Sequence, residues 1–278
     1  MAMPMLTETA VLTDRELHAI VALVYEKSGI TLHDGKRELV AARLQKRLRQ
    51  LGLSTYKEYL KRLSEDSSGE ELTLLLDAIA TNHTSFFREP QHFDFLRDRI
   101  APGFVQGSGS APLNAWCAAS SSGEEPVTIA MTLLEAGVDH FRLLASDIST
   151  KVLAIARKGV YKIDRVQGIP QPLLRKYFQR GLGEQAGLAR VAPEVRQHIE
   201  YRALNLIAMD RLDRTFDFIF CRNVMIYFDK AVQQRVVSML ERQLSPGGYL
   251  FISHSESLNG TTHGMQWVAP AVYRRPAQ

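Results

Sequence analysis

Arg222, Asn223 and Tyr227 crowd the short stretch CRNVMIYFD (221–229), directly after FDFIF, an apolar run that reads as a buried strand. A guanidinium, an amide and a phenol at the exit of a core strand could orient a bound ligand or a reacting group. A second cluster, AASSSGEE (118–125), follows the apolar run LNAWC. Its small residues let a ligand approach the backbone, and Gly123, Glu124 and Glu125 come next. This is not the G-x-G-x-x-G of nucleotide phosphate binding, and two carboxylates beside a helix start would repel a pyrophosphate. They suit a ligand with a cationic group. Asp147 closes a third apolar run, FRLLAS, at the place where open parallel sheets set an acid against ribose hydroxyls. Ribose plus a cationic moiety and no phosphate describes S-adenosylmethionine. Local reasoning leaves alternatives beside each residue: Asp147 as the cap of the helix starting in ISTKV, Arg222 and Asn223 in capping and ion pairing, Tyr227 as an ordinary core-rim tyrosine.

These residues form one site only if the strands bearing them lie side by side. Beyond residue 112 the chain alternates: strand LNAWC, helix EPVTIAMTLLEAG, strand FRLLASD, helix TKVLAIARKG, and later strand FDFIFC, helix KAVQQRVVSMLERQL and strand GGYLFIS. Such alternation with short turns predicts an α/β fold, a parallel sheet covered on both faces, with ligands beyond the carboxyl ends of its strands. The segment at about 160–200 fits no crossover and reads as a small inserted subdomain; MQWVAPAVYRRP reads as one or two short edge strands.

The first 80 residues read as helices only. LTDRELHAIVALVYEKSGI opens on a Thr13-x-x-Glu16 capping box and stops at Gly29. GKRELVAARLQKRLRQLGL carries Val40, Leu44, Leu48 and Leu51 on one face, with Lys36, Arg37, Arg43, Lys46, Arg47 and Arg49 against the single acid Glu38. A third helix spans about Ser54 to Leu63, and a Ser68-x-x-Glu71 box opens a fourth, EELTLLLDAIAT. TNHTSFFREPQHFDFLRDRI reads as a loop and one more helix, and APGFVQGSGSAP (101–112) as a linker. The expected organisation is a helical N-terminal domain at 1–88, a helix and linker at 89–112, and the sheet domain at 113–278.

Composition narrows the classes. At 278 residues with 45% apolar content the chain has material for two domains and an ample core. Cys117 and Cys221 lie far apart without Cys-x-x-Cys spacing, so they read as buried reduced thiols, and no metal site is expected. If their strands are the first and fourth of the sheet, the two are neighbours. No apolar run approaches the about 18 residues of a membrane span, and MAMPMLTETAVLTDRE lacks the features of a secretory signal, so a cytoplasmic protein is expected. The net charge of +4 fits an acidic partner without demanding nucleic acid.

TNHTSFFRE, SSSGEEPVTIAM, ASDIST, FDFIFCRNVMIYFD and GGYLFISHSES, in this order, resemble the CheR-type chemotaxis methyltransferases over about residues 13–275. The all-small turn at 118–122 is a point where family members vary. The resemblance implies a Rossmann-like S-adenosylmethionine-dependent methyltransferase domain with a small inserted antiparallel β-subdomain, preceded by an all-α N-terminal domain. It implies a transferase of chemotaxis signal transduction. Such an enzyme methylates specific glutamates of membrane chemoreceptors, the methyl-accepting chemotaxis proteins, forming glutamyl methyl esters for sensory adaptation and S-adenosylhomocysteine as product. It puts Asn82, Thr84, Arg88, Glu125, Asp147, Asn205, Leu206, Arg222 and Asn223 at the cofactor, with Arg88 and Tyr227 as the catalytic pair that orients the incoming carboxylate. A glutamate of ordinary pKa, about 4.3, is already ionised at neutral pH, so alignment and exclusion of water carry the chemistry.

The same resemblance implies two contacts with a receptor. One is the basic face at 36–49 against glutamate-bearing cytoplasmic helices; its alternative is an ordinary solvated face. The other is the Gly-rich loop RGLGEQAGLAR (180–190), in which Arg180, Gly181, Gly183, Gly187 and Arg190 match family members that accept a receptor's C-terminal peptide as an added strand. A monomer without nucleic-acid binding or membrane insertion is expected. Two rivals are an enzyme methylating another substrate and a cofactor-binding signalling module without catalysis. The lack of an N/D-P-P-Y-type motif after the fourth strand opposes base methylation. Retention of Arg88 and Tyr227 opposes the inert module.

Overall fold

The computed structural model describes residues 10–32, 34–105, 112–209 and 211–277. The N-terminal stretch 1–9 and the Gly/Ser part of the expected linker, 106–111, lie outside the described residues. Two compact units divide between Thr81 and Asn82, so residues 82–88, grouped with the helices on sequence, pack within the second unit.

The first unit is a helical bundle of α1 (Asp14–Ser28), α2 (Arg37–Leu51), α3 (Tyr56–Glu65) and α4 (Glu70–Ile79). The Thr13–Glu16 capping box forms, and Gly29 ends α1 in a left-handed conformation. Thr55 and Glu58 make a second box, which starts α3 later than expected. The Ser68–Glu71 box does not form. Gly69 is the cap, and the Glu71 N–H goes to Asp66 Oδ2 at 2.7 Å, because the Glu71 carboxylate is taken by Arg47 at 2.6 and 2.8 Å. That pair also corrects the reading of α2 as a uniformly free basic face. Arg37 turns to the Leu12 carbonyl and the Asp14 carboxylate, and Arg43 caps α4 through the Ile79 and Ala80 carbonyls. Lys36, Lys46 and Arg49 remain exposed.

The second unit begins with α5 (Gln91–Phe95), which continues through a π-helical turn at Leu96–Ile100. Then come β1 (Leu113–Cys117), α6 (Glu124–Glu135), β2 (Phe141–Asp147) and α7 (Thr150–Lys158). The insert holds β3 (Val160–Lys162), α8 (Ile163–Val166), α9 (Gln171–Tyr177), β4 (Phe178–Arg180), β5 (Leu188–Val191) and α10 (Pro193–Arg196). The chain ends with β6 (Ile199–Ala203), β7 (Phe216–Phe220), α11 (Lys230–Gln243), β8 (Leu244–Phe251), β9 (Gln266–Ala269) and β10 (Val272–Arg274).

The main sheet runs β6-β2-β1-β7-β8-β10-β9, and the insert forms a separate antiparallel sheet, β3-β5-β4. β6, β2, β1, β7 and β8 are mutually parallel; β10 runs antiparallel between β8 and β9. From β1 the chain builds outward first to one side and then, from β7, to the other. The β1–β7 boundary is therefore the topological switch point. Cys117 ends β1 opposite Phe220, and Cys221 directly follows β7, so the two buried, free thiols stand at the exits of neighbouring strands. Phe218, Phe220 and Phe251 fill the core beneath, with Phe220 and Phe251 stacked at 4.3 Å. Among the described residues no helix is long and apolar enough to cross a membrane.

Candidate active site

Hydrogen bonds continue past the strand ends and fix the geometry of the exits. Ala118 N–H donates to the Phe220 carbonyl at 2.7 Å, Ser120 N–H to Ser146 at 2.8 Å, Leu204 N–H to Asp147 at 3.0 Å and Cys221 N–H to Phe251 at 2.8 Å. The loops after β6, β2, β1, β7 and β8 are thereby held along one edge; Asn205, Leu206, Arg222 and Asn223 lie on them, Asp147 ends β2 and Glu125 stands in the first turn of α6.

The turn at 118–123 is buried and tied down from three sides. Ser121, at φ 48°, gives its N–H to Asp147 Oδ2 at 2.8 Å and its hydroxyl to the Asn82 carbonyl at 3.0 Å. Tyr161, from β3, donates to the Ser122 carbonyl at 2.9 Å. Gly123 has φ 97°, and a Cβ there would lie 2.8 Å from Ala156 Cβ, so only glycine lets α6 start this close to α7. The other Asp147 oxygen accepts from Ser149 N–H at 2.9 Å. The helix cap itself is Ser149, whose hydroxyl accepts from Val152 N–H, so the capping alternative for Asp147 falls to its neighbour. Asn205 and the buried Leu206 follow β6 beside Asp147, with Asn205 Oδ1 accepting from Ile207 N–H at 3.2 Å.

The two acids of GEE separate. Glu124 is fully buried, accepts from Ser122 Oγ at 2.6 Å and pairs with Arg165 of α8. Glu125 meets Arg222 Nη1 at 2.6 Å and accepts from the Cys117 thiol at 3.3 Å. Burial, with Glu125 adding to it, pushes that thiol well above its ordinary range. Arg222 has a fully buried side chain lying against the rings of Phe93 and Phe220, with Nη2 3.0 Å from Glu89 and 2.7 Å from the Arg88 carbonyl. The ion-pairing reading thus describes what its guanidinium does: it holds the Glu125 and Glu89 carboxylates and the Arg88 carbonyl in place. Phe87 and Glu89 sit in the left-handed region at φ 53° and 56°, a costly conformation for residues with a Cβ, kept by this network. Arg88 is half-buried, with Nη1 on the His83 carbonyl at 3.1 Å, and the Thr84 carbonyl accepts from Arg165 at 3.3 Å.

Asn223, at φ 59°, donates through Nδ2 to Ser253 Oγ at 2.7 Å. Tyr227 is half-buried in a short 3-10 turn, Met225–Tyr227, on the same loop. Glu89, Ser253 and Glu256 were not singled out on sequence, although Glu89 and the HSES motif stand inside the quoted segments. Glu256 accepts backbone N–H groups from both neighbouring loops, and burial still pushes its carboxyl above the ordinary range.

Glu89, His92 and His254 bring ligand-type atoms within 4.8 Å of one another. The Glu89 carboxylate already faces the Arg222 cation at 3.0 Å and accepts from Ser253 Oγ at 2.7 Å, so a metal ion would meet a fixed positive charge. His92 is buried, and burial together with Arg222 lowers its pKa to about 4, which keeps it neutral. Of the three, Glu89 is the one that pairs with Arg222.

Arg180, Gly181, Gly183, Gly187 and Arg190 lie on the β4–β5 hairpin of the insert, apart from these loops. Gly181 is required there, since a Cβ would sit 2.1 Å from the Gln185 carbonyl oxygen. β4 is an edge strand of its sheet.

The donor set fits S-adenosylmethionine. A turn of small buried residues admits the ligand to the backbone, Asp147 and Glu125 present carboxylates, and among the described residues no lysine or glycine-rich phosphate cradle stands at these exits. A mixed sheet of order β6-β2-β1-β7-β8-β10-β9, with this site at the switch point of its five parallel strands, is a Rossmann-like S-adenosylmethionine-dependent methyltransferase domain. Residues 82–273 match the family described as "CheR methyltransferase, SAM binding domain", and residues 15–80 match "CheR methyltransferase, all-alpha domain". The chain belongs to the CheR methyltransferase family and is an S-adenosylmethionine-dependent methyltransferase. It is 40% identical to chemotaxis protein methyltransferase 2 of Pseudomonas aeruginosa, over 98% of this chain and 99% of that one. It is 39% identical to the chemotaxis protein methyltransferase of Escherichia coli, over 91% and 88%. Among solved structures, the N-methyltransferase NodS from Bradyrhizobium japonicum aligns at 14% identity and TM-score 0.35, over 68% of this chain and 99% of that one.

Proposed function

We propose that the protein methylates glutamate side chains of membrane chemoreceptors, forming methyl esters in sensory adaptation, and that it works in the cytoplasm as a monomer. The observation that carries this is the near full-length similarity to chemotaxis protein methyltransferases, both units included. Bound S-adenosylmethionine supplies an electrophilic methyl group. Asn82, Thr84, Arg88, Glu125, Asp147, Asn205, Leu206 and Asn223 hold it, and Arg222 acts by fixing Glu125. Arg88 and Tyr227 orient the acceptor carboxylate, which is already ionised at neutral pH and needs no general base. The task left to the protein is alignment and exclusion of water. Lys36, Lys46 and Arg49 attract the acidic receptor helices, and the outer edge of β4 accepts a receptor's C-terminal peptide as an added strand.

The test is transfer of tritiated methyl groups from S-adenosylmethionine to receptor-containing membranes. Base-labile label on the receptors, absent when receptor glutamates are replaced, is the expected result. Label that resists base, or that appears only on other molecules, would overturn the assignment.

A further inference from the structure

Asn223 and Tyr227 sit on a loop that nothing in its own sequence would hold rigid. It leaves β7, passes through a left-handed asparagine, makes one 3-10 turn and reaches the cap of α11 at Asp229. Its local hydrogen bonds are two, Tyr227 N–H to Val224 at 3.1 Å and Phe228 N–H to Met225 at 3.1 Å. Side chains from outside the loop supply further support: Gln233 Nε2 of α11 donates to the Met225 and Phe228 carbonyls at 2.9 and 3.1 Å, and Asn223 Nδ2 donates to Ser253 Oγ at 2.7 Å. The loop's N–H groups meet one carboxylate on the neighbouring loop, after β8. Glu256 Oε1 accepts from Met225 N–H at 2.9 Å and Ile226 N–H at 3.4 Å, and Oε2 from Asn223 N–H at 3.1 Å and Ser253 N–H at 2.8 Å. Both oxygens are thus occupied, three of the four donors belong to the loop that carries Asn223 and Tyr227, and the fourth anchors the carboxylate to its own loop.

We propose that Glu256 is a positioning residue for methyl transfer, setting the placement of the Tyr227 phenol and the Asn223 side chain through its four backbone hydrogen bonds. This rests on the roles given above to Tyr227 and Asn223. The chemistry of the group explains why a carboxylate stands here. An ionised carboxylate only accepts, so it can face donors with both oxygens. A glutamine of the same shape accepts with one oxygen and turns its own N–H groups toward the other pair, and a hydroxyl could not span the loops. Catalysis by alignment is sensitive to displacements of about an ångström in the group that aligns, so loosening this loop lowers turnover without removing any group from the site.

The experiment is a double-mutant cycle with Glu256→Gln and Tyr227→Phe, measuring kcat and KM on receptor membranes, with thermal unfolding as the control for folding. Glu256→Gln alone is expected to lower kcat about tenfold or more, because the misplaced phenol no longer orients the acceptor. In the Tyr227→Phe background the same change should lower kcat by less than about threefold, since the hydroxyl it positions is already gone. Wild-type kcat in Glu256→Gln beside an impaired Tyr227→Phe would overturn the inference while leaving the role of Tyr227 intact. Multiplicative losses would overturn it too, because Glu256 would then act independently of Tyr227. A fully active Tyr227→Phe would remove the reading of Tyr227, and the inference with it. If Glu256→Gln does not fold, Glu256→Asp, which keeps the charge but withdraws it by one methylene, enters the same cycle; failure of both to fold would make Glu256 a structural residue and refute the proposal.

Discussion

Asp147 shows how much one side chain can organise. Its two oxygens accept from the backbones of Ser121 and Ser149, so it joins the turn after β1 to the start of α7 while remaining at the strand end where ribose hydroxyls are expected. Asp147→Ala should weaken S-adenosylmethionine binding severalfold to a hundredfold, the loss of charge-assisted hydrogen bonds worth about 1.5–3 kcal/mol. Calorimetry on the folded variant is the measurement, and an unchanged affinity would remove Asp147 from the cofactor site. Asp147→Asn is the companion, since it keeps one backbone contact and separates loss of the ligand's partner from collapse of the turn.

Among the elements, α2 is where charge has been converted into architecture. Arg47 pairs with Glu71 of α4, and the two side chains are only 19% and 5% exposed. Burial by itself pushes the Glu71 carboxyl up, but the hydrogen bond and charge of Arg47, with Arg62 nearby, outweigh it, and the pKa ends below the ordinary carboxylate range. A carboxyl depressed in the folded state contributes stability above its unfolded pKa, about 4.3, and loses it as the pH falls through the folded value. Glu71→Gln should therefore cost about 2–3 kcal/mol at pH 7, less than a fully enclosed pair because Arg47 is partly solvated. The gap between variant and wild type should close below about pH 4. Urea unfolding at both pH values reads this directly. A gap that widened in acid would mean that Glu71 is not the group supporting the bundle.

At the scale of the molecule, the hairpin proposed for docking and the candidate cofactor site occupy different pieces of chain. The β4–β5 hairpin shares none of the loops that form the cofactor site, so shortening 181–187 to a Gly-Asn turn should leave cofactor affinity and the methylation of receptors without a C-terminal tail unchanged. On tailed receptors the proposed tether would make the second encounter intramolecular, at about millimolar effective concentration, and that gain should vanish as a raised KM with little change at saturation. Free tail peptide should inhibit the wild type and leave the variant indifferent. A variant that methylates both receptor types like the wild type would reduce the hairpin to a structural feature.

The order of strands and helices was legible in the sequence because hydrophobic period and turn residues are local properties. The neighbouring places of Cys117 and Cys221 followed from the fold class, and the exits of β1, β2 and β7 stood out because polar residues interrupt apolar runs there. β6 escaped notice: IEYRA is half exposed and charged, as the edge strand of a sheet tends to be, and so lacks an apolar signature. The orientation of each charge was a tertiary matter. Arg37, Arg43, Arg47 and Glu71 read as surface residues or caps until α1, α2 and α4 were packed. Nothing local distinguishes Glu124 from Glu125, yet one pairs with Arg165 and the other with Arg222. Glu256 and Glu89 acquire their partners from segments remote in sequence, 33 residues away for Asn223 and 164 for Ser253. Period and propensity act between neighbours along the chain, whereas a buried carboxylate must find donors in space, and only the folded backbone decides which ones are within reach.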